Sequence, residues 1–209
     1  MGQIMSSLFI TGNGFDIAHG IPTKYSEFRS FVLQKFPDAL KFRDDVVYLE
    51  DFENVGQDEF AAEILLNAMD KAAGKNWCNF EEALAYINFD NKFPLPNHKE
   101  NETDEEDQIL MKQYLLYMDM LTSVFIGCSK IWQDFFRLWL KDIQYVIDQG
   151  SYQPKDDLLK LFSDSEMQFF SFNYTKTLQK LYGVKKVTHI HNRVGQKLIF
   201  GHGKSDEVG

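Results

Sequence analysis

The chain has 209 residues, 44% hydrophobic, 15% aromatic and 25% charged, and its 31 acidic and 22 basic side chains give a formal net charge of −9. This mix excludes collagen-like, mucin-like and fully disordered classes, and a chain of this length can bury roughly 70% of its unfolded surface around one core. No stretch gathers Lys and Arg into a stripe, so a nucleic-acid partner is not expected.

In chain order, Ser7-Leu8-Phe9-Ile10-Thr11 is a short apolar run that stops at Gly12-Asn13-Gly14, the pattern of a buried strand entering a glycine turn. Thr23 or Ser26 can cap a helix through Phe28, Phe31, Val32 and Phe36 that ends at Pro37. Apolar positions at helical spacing predict helices over 58–73 and 80–87, on either side of Trp77, with Glu81 and Glu82 on a solvated face. Residues 91–107 hold two prolines and a dense acidic group, a composition that predicts a solvated loop. Residues 109–147 predict one bent helix or two, with Gly127 as a candidate break. Short strands follow at 167–172, 187–191 and 197–200, with a helix over 175–182 that stops at Gly183.

This order predicts a single α/β domain over 1–209. Its parallel sheet takes strands from both ends of the chain, and a helical lobe comes from the middle, 57–150. Ligands in such sheets bind at the strand ends. Gly12-Asn13-Gly14, Asn173-Tyr174, His189-Ile190-His191 and Gly201-His202-Gly203 stand there. Glycines after a strand let backbone amides approach a ligand, and the helix N-terminus beyond them suits a phosphate. Asn173 could equally cap the helix that follows it. His189 and His191, two apart on a strand, would share a face, and with His202 and an acid such as Asp16 they could bind a metal.

Cys78 and Cys128 form neither a disulfide framework nor a Cys-x-x-Cys site, and both are expected in the core of a protein from a reducing compartment. No run is read as long enough to span a bilayer, and the first residues lack a secretion signal. A cytoplasmic protein without a membrane partner is therefore expected.

Gly12-x-Gly14-x5-Gly20-Ile21-Pro22 with Phe28-Arg29, then Ser171-Phe172-Asn173-Tyr174-Thr175, then the strand ending at His191, resembles the signature of the sirtuin superfamily. More narrowly, Leu8 to Gly20, Trp77 to Glu81, Phe172 to Thr175, His189 to His191 and Leu198 to Gly203 resemble blocks of the AbiH family of phage abortive-infection proteins. The resemblance implies a sirtuin-like, Rossmann-type fold and cleavage of the nicotinamide–ribose bond of NAD. Asn173 and His191 would be catalytic, the Asn holding ribose or water and the His acting as base. NAD would be held by Gly12, Asn13, Gly14, Phe15, Asp16, Gly20, Pro22, Arg29, Tyr174, Thr175, His189, Gly201 and His202. The chain departs from the family at Asn192, where Gly is usual, and at Thr175, where many relatives have Asp. Depletion of NAD would halt an infected cell, with a phage-derived trigger and a homo-oligomer as expected partners. The alternatives are a non-catalytic nucleotide sensor and a metal-dependent hydrolase built on the histidines.

Overall fold

A computed structural model describes residues 7–40, 56–85, 104–163 and 167–198. In order, the elements are β1 (Leu8–Thr11), α1 (Asn13–Ala18), α2 (Tyr25–Lys35), α3 (Gln57–Ala73), α4 (Phe80–Ala85), α5 (Asp104–Asp148), α6 (Asp156–Leu161), β2 (Gln168–Ser171), α7 (Thr177–Tyr182) and β3 (Thr188–His189). Contacts divide the chain into two compact units, one of Met1–Phe31 with Phe135–Gly209 and one of Val32–Asp134.

The first unit carries a parallel sheet in the order β1-β2-β3, with Thr11 beside Ser171 and Ser171 beside His189. Strands that pair in parallel end on the same side, so the chain leaves β1 and β2 at adjacent points, Gly12 and Phe172. Phe9 and Phe169 pack on Phe162, with ring centroids 4.6 and 5.1 Å away. Tyr182 closes that cluster at 5.0 Å from Phe162, donates its hydroxyl proton to His19 Nε2 at 2.5 Å and accepts from the Lys155 amide. A second cluster joins Phe28, Phe136, Trp139 and Tyr174, with centroids 5.1–5.4 Å apart. Gln144, buried on α5, accepts from the Lys176 amide at the start of α7 and donates to Asp148, which pairs with Lys180 at 2.8 Å.

The second unit is helical in its described part. Phe60, Ile64, Leu65, Leu66 and Met69 of α3 are buried with Trp77 and Phe80, and Trp132 of α5 donates to the Ala61 carbonyl at 2.7 Å. Trp77 is fully buried at a left-handed φ of 47°, with its indole donating to Asp70 and its ring stacked on Phe80.

Several expectations are corrected. The fully buried first strand is buried on one face only. Leu8 and Ile10 are 56% and 60% exposed, because β1 is an edge strand with helices packed on a single face among the described residues. The acidic segment is helical from Asp104 onward, since an acidic run suits the first turn of a helix as well as a loop; 91–103 lie outside the described residues. Helix α5 runs unbroken through Gly127. The strand expected over 187–191 is only two residues long, because a turn starts at Ile190. Lys197 and Leu198 are not in a strand, and Ile199, Phe200, Gly201 and His202 lie outside the described residues. α1 and α6 were not anticipated, each being too short to show a period.

The expectation that no segment could cross a membrane is also corrected. Gln108–Asp148 contains a window of mean hydropathy 1.2, of which 11% is buried, so by length and composition it meets the requirement for a span. Lys112 and Asp119 interrupt a continuous apolar run, while the window average tolerates them. Core helices of soluble proteins can meet the same test, and length and composition alone do not establish a membrane location.

Cys128 is buried as expected and burial pushes its thiol up to about 11, but Cys78 is exposed, because the adjacent Trp77 takes the inward position. An aromatic disulfide reagent at pH 8 should therefore titrate one thiol quickly in the native protein and the second only after denaturation. Cys78→Ser should remove the fast phase.

Candidate functional site

The carboxyl ends of β1 and β2 open onto a cavity of about 40 Å³ lined by Asn13, Asp16, Thr23, Tyr25, Phe136, Trp139, Leu140 and Phe172 to Thr175. Such a volume admits a few water-sized groups. Its wall is made by local sequence. Thr11 ends β1, Gly12 caps α1 in an extended conformation, and α1 turns Asp16 inward until 1% of the residue remains exposed. Gly20, at φ 74°, takes the left-handed turn that returns the chain to Ile21 and Thr23. From the other end of the sequence, the segment leaving β2 brings in Asn173, Tyr174 and Thr175, all buried.

Thr175 donates its hydroxyl to Asp16 Oδ2 at 2.5 Å and lies 3.0 Å from the Thr177 hydroxyl. Burial raises the Asp16 pKa above its ordinary value, against the pull of the Thr175, Thr177 and Asn173 side chains and of nearby His19. Three buried polar atoms around this cavity have no hydrogen-bond partner: Asp16 Oδ1, Thr23 Oγ1 and Asn173 Oδ1. Buried polar groups are nearly always paired, so three unpaired atoms on residues that line one cavity make it the candidate site. Two of them can only accept while Asp16 is ionised. The site therefore suits hydroxyl or amide donors and repels a phosphate at that depth.

The residues singled out from the sequence separate into groups. Asn13, Asp16, Asn173, Tyr174 and Thr175 line the cavity. Asn173 does not cap α7, whose N-cap is Lys176, and its own amide is held by Ser171 Oγ. Gly12 and Gly14 flank Asn13, and a Cβ at either would meet no atom within 4 Å, so packing does not demand glycine there. Phe15 packs under the sheet against Phe9 and Tyr182, while Gly20, Pro22 and Arg29 lie outside the lining.

His191 stands beside the cavity, its ring 5.8 Å from both Phe172 and Tyr174, but is not part of its lining. His189 faces elsewhere: Nδ1 donates to the Asn173 carbonyl at 2.9 Å, so Nε2 accepts from Gln179 at 2.8 Å. Burial lowers its pKa, with Arg193 and Lys176 adding to the effect against the Asn173 carbonyl. With both nitrogens engaged, His189 positions Asn173 and is not available as a metal ligand in this arrangement. Among the described residues no three His, Cys, Asp or Glu gather as a metal site.

The two departures from the family pattern have local explanations. Asn192 adopts φ 61°, the left-handed conformation that Gly would supply and Asn tolerates, and its side chain donates to the Lys197 carbonyl. Thr175 serves as a donor to Asp16, which is the carboxyl group of this cavity. Sequence reasoning missed Thr23 as a lining group, treating it as a helix cap. Phe136, Trp139 and Leu140 are buried core residues, as their three-and-four spacing suggests, and they also form part of the cavity wall.

A family model described as bacteriophage abortive infection AbiH matches residues 8–208. No curated protein and no solved structure matches the chain.

Proposed function

Since the chain belongs to the AbiH family of bacteriophage abortive-infection proteins, we propose that it acts in phage defence by binding NAD or a close nucleotide and hydrolysing the nicotinamide–ribose bond. The observation that carries the reading is that three residues lining one cavity at the strand ends, Asp16, Thr23 and Asn173, each hold a buried oxygen without a hydrogen-bond partner. Ribose hydroxyls are donors of the kind these atoms lack. The open space at Gly12 and Gly14 is where backbone amides could meet the rest of a nucleotide without side-chain interference.

The reaction passes through a state with positive charge spread over C1′ and the ring oxygen. The C1′–N bond breaks, its electron pair goes to the nicotinamide nitrogen, and a water oxygen bonds to C1′ while releasing a proton. A desolvated Asp16 carboxylate would act on the developing cation more strongly than one in water. Asn173 would orient the ribose, and His191, beside Phe172 and Tyr174, would take the proton from water. Metal chemistry receives no support from His189, whose nitrogens are both engaged. A binding-only role, as a nucleotide sensor, is favoured by one observation, the position of His191 outside the cavity lining.

The test is nicotinamide release from NAD by the purified chain and by Asn173→Ala and His191→Ala, with melting curves for each. The hydrolase reading expects losses on the order of 100-fold or more in both variants without loss of folding. Binding without turnover, seen as an NAD-dependent rise in melting temperature of the parent, would replace the hydrolase with the sensor.

A further inference from the structure

The first unit holds a second cavity, of about 400 Å³, whose lining includes Gln179, Lys185, Lys186, His189, Arg193 and Gln196. It does not include the Asp16, Thr23 and Asn173 group, and its chemistry is opposite. Three cations line it and, among the described residues, none of the lining side chains is acidic, in a chain whose formal net charge is −9. Neighbouring cations repel, and an arrangement that brings them to one concave polar surface without a carboxylate suits an anion. These cations form no basic stripe in the sequence, because only two of them are adjacent in the chain and the third comes from the turn after β3.

The cavity wall is braced. Val194 donates its amide to the Tyr174 carbonyl, Gln196 to the Arg193 carbonyl, and the Asn192 side chain to Lys197, so the turn that presents Arg193 is tied at three points. Gln179 adds an independent requirement. Its amide nitrogen donates to His189 Nε2, which leaves Oε1 buried without a partner. An anion cannot satisfy that oxygen; a hydroxyl or amino group can.

We propose that this cavity is a binding site for a small ligand carrying two or more phosphate groups together with a hydroxyl or amino donor, the chemistry of a nucleoside di- or triphosphate. Lys185, Lys186 and Arg193 take the phosphates, and Gln179 Oε1 accepts from the donor. The proposal stands apart from the NAD reading, since it uses a different cavity and no residue assigned to turnover.

The experiment is calorimetric titration of the full chain with ATP and, separately, with inorganic tripolyphosphate, at low and high salt. Both probes bind, both weaken as salt rises, and Lys185→Ala/Lys186→Ala and Arg193→Ala each weaken both by tenfold or more. Gln179→Ala weakens ATP but leaves tripolyphosphate unchanged, with melting curves confirming that each variant folds. Equal affinities in the parent, the lysine double variant and Arg193→Ala overturn the site. A single-stranded oligonucleotide that binds more tightly than ATP and depends on the same cations overturns the small-ligand assignment. Insensitivity of ATP binding to Gln179→Ala overturns the donor requirement.

Discussion

Replacing Asp16 by Asn is expected to raise the melting temperature of the protein while lowering nicotinamide release on the order of 100-fold. The two effects share one cause. Asp16 is 1% exposed, one of its carboxylate oxygens accepts from Thr175, and the other has no partner. Burial holds its native pKa above the ordinary 3.8, so between 3.8 and the native value the folded chain binds more protons than the unfolded one. The stability that Asp16 contributes is present below 3.8 and is lost as pH rises through the native pKa. Once Asp16 ionises, the fold carries the cost of a desolvated charge. Asn keeps an acceptor for Thr175 and removes the charge, which should stabilise the chain by about 1 kcal/mol and flatten the fall in stability as pH rises above 4. The same change removes the negative charge proposed to act on the oxocarbenium-like state. Melting curves across pH 4 to 8, with turnover at each pH, check both halves. A variant that is less stable and fully active would mean that Asp16 is a structural group.

Trp77→Ala should cost about 3–5 kcal/mol, the largest stability effect expected of a single substitution in the helical unit. The side chain is fully buried, its ring stacks on Phe80 at 5.4 Å, and its indole nitrogen donates to Asp70 at 2.8 Å. Truncation would leave a cavity and would remove the hydrogen bond to Asp70. The left-handed backbone at φ 47° would remain, and Ala gains no relief there. Trp77→Phe should recover part of the packing but not the hydrogen bond, and so fall between the two. Urea unfolding followed through the remaining tryptophans measures the series. A midpoint for Trp77→Ala within error of the parent would show that α3 and α4 do not depend on this contact.

Period and punctuation made most of the long elements readable. α3 follows its apolar spacing, α2 ends before Pro37, and α7 ends at Gly183, which takes the left-handed φ of 68° expected of a glycine C-cap. Short elements were harder: α1 is six residues and β3 two, below the length at which a period can be counted. One-sided burial of β1 could not be read either, since Leu8 and Ile10 are as apolar as Phe9 and differ only in the face they occupy. At the candidate site, the sequence pointed to Asp16, Asn173 and Thr175, which the fold brings together from positions about 160 apart in the chain. It could not reveal that Thr23 joins them, because a threonine before a helix reads first as a cap. Nor could it separate the two histidines. Their positions are equivalent until the turn at Asn192 turns His191 toward Tyr174, while His189 stays bound to Asn173 and Gln179.

The most direct test of the central claim is amide hydrogen exchange of the full chain with and without NAD. The account predicts that NAD slows exchange over residues 12–16 and 171–175, the segments that meet at the ends of β1 and β2, and that Asn173→Ala abolishes the protection. Protection confined to other segments, or none at NAD concentrations that saturate any measured turnover, would contradict the assignment of this cavity as the NAD site.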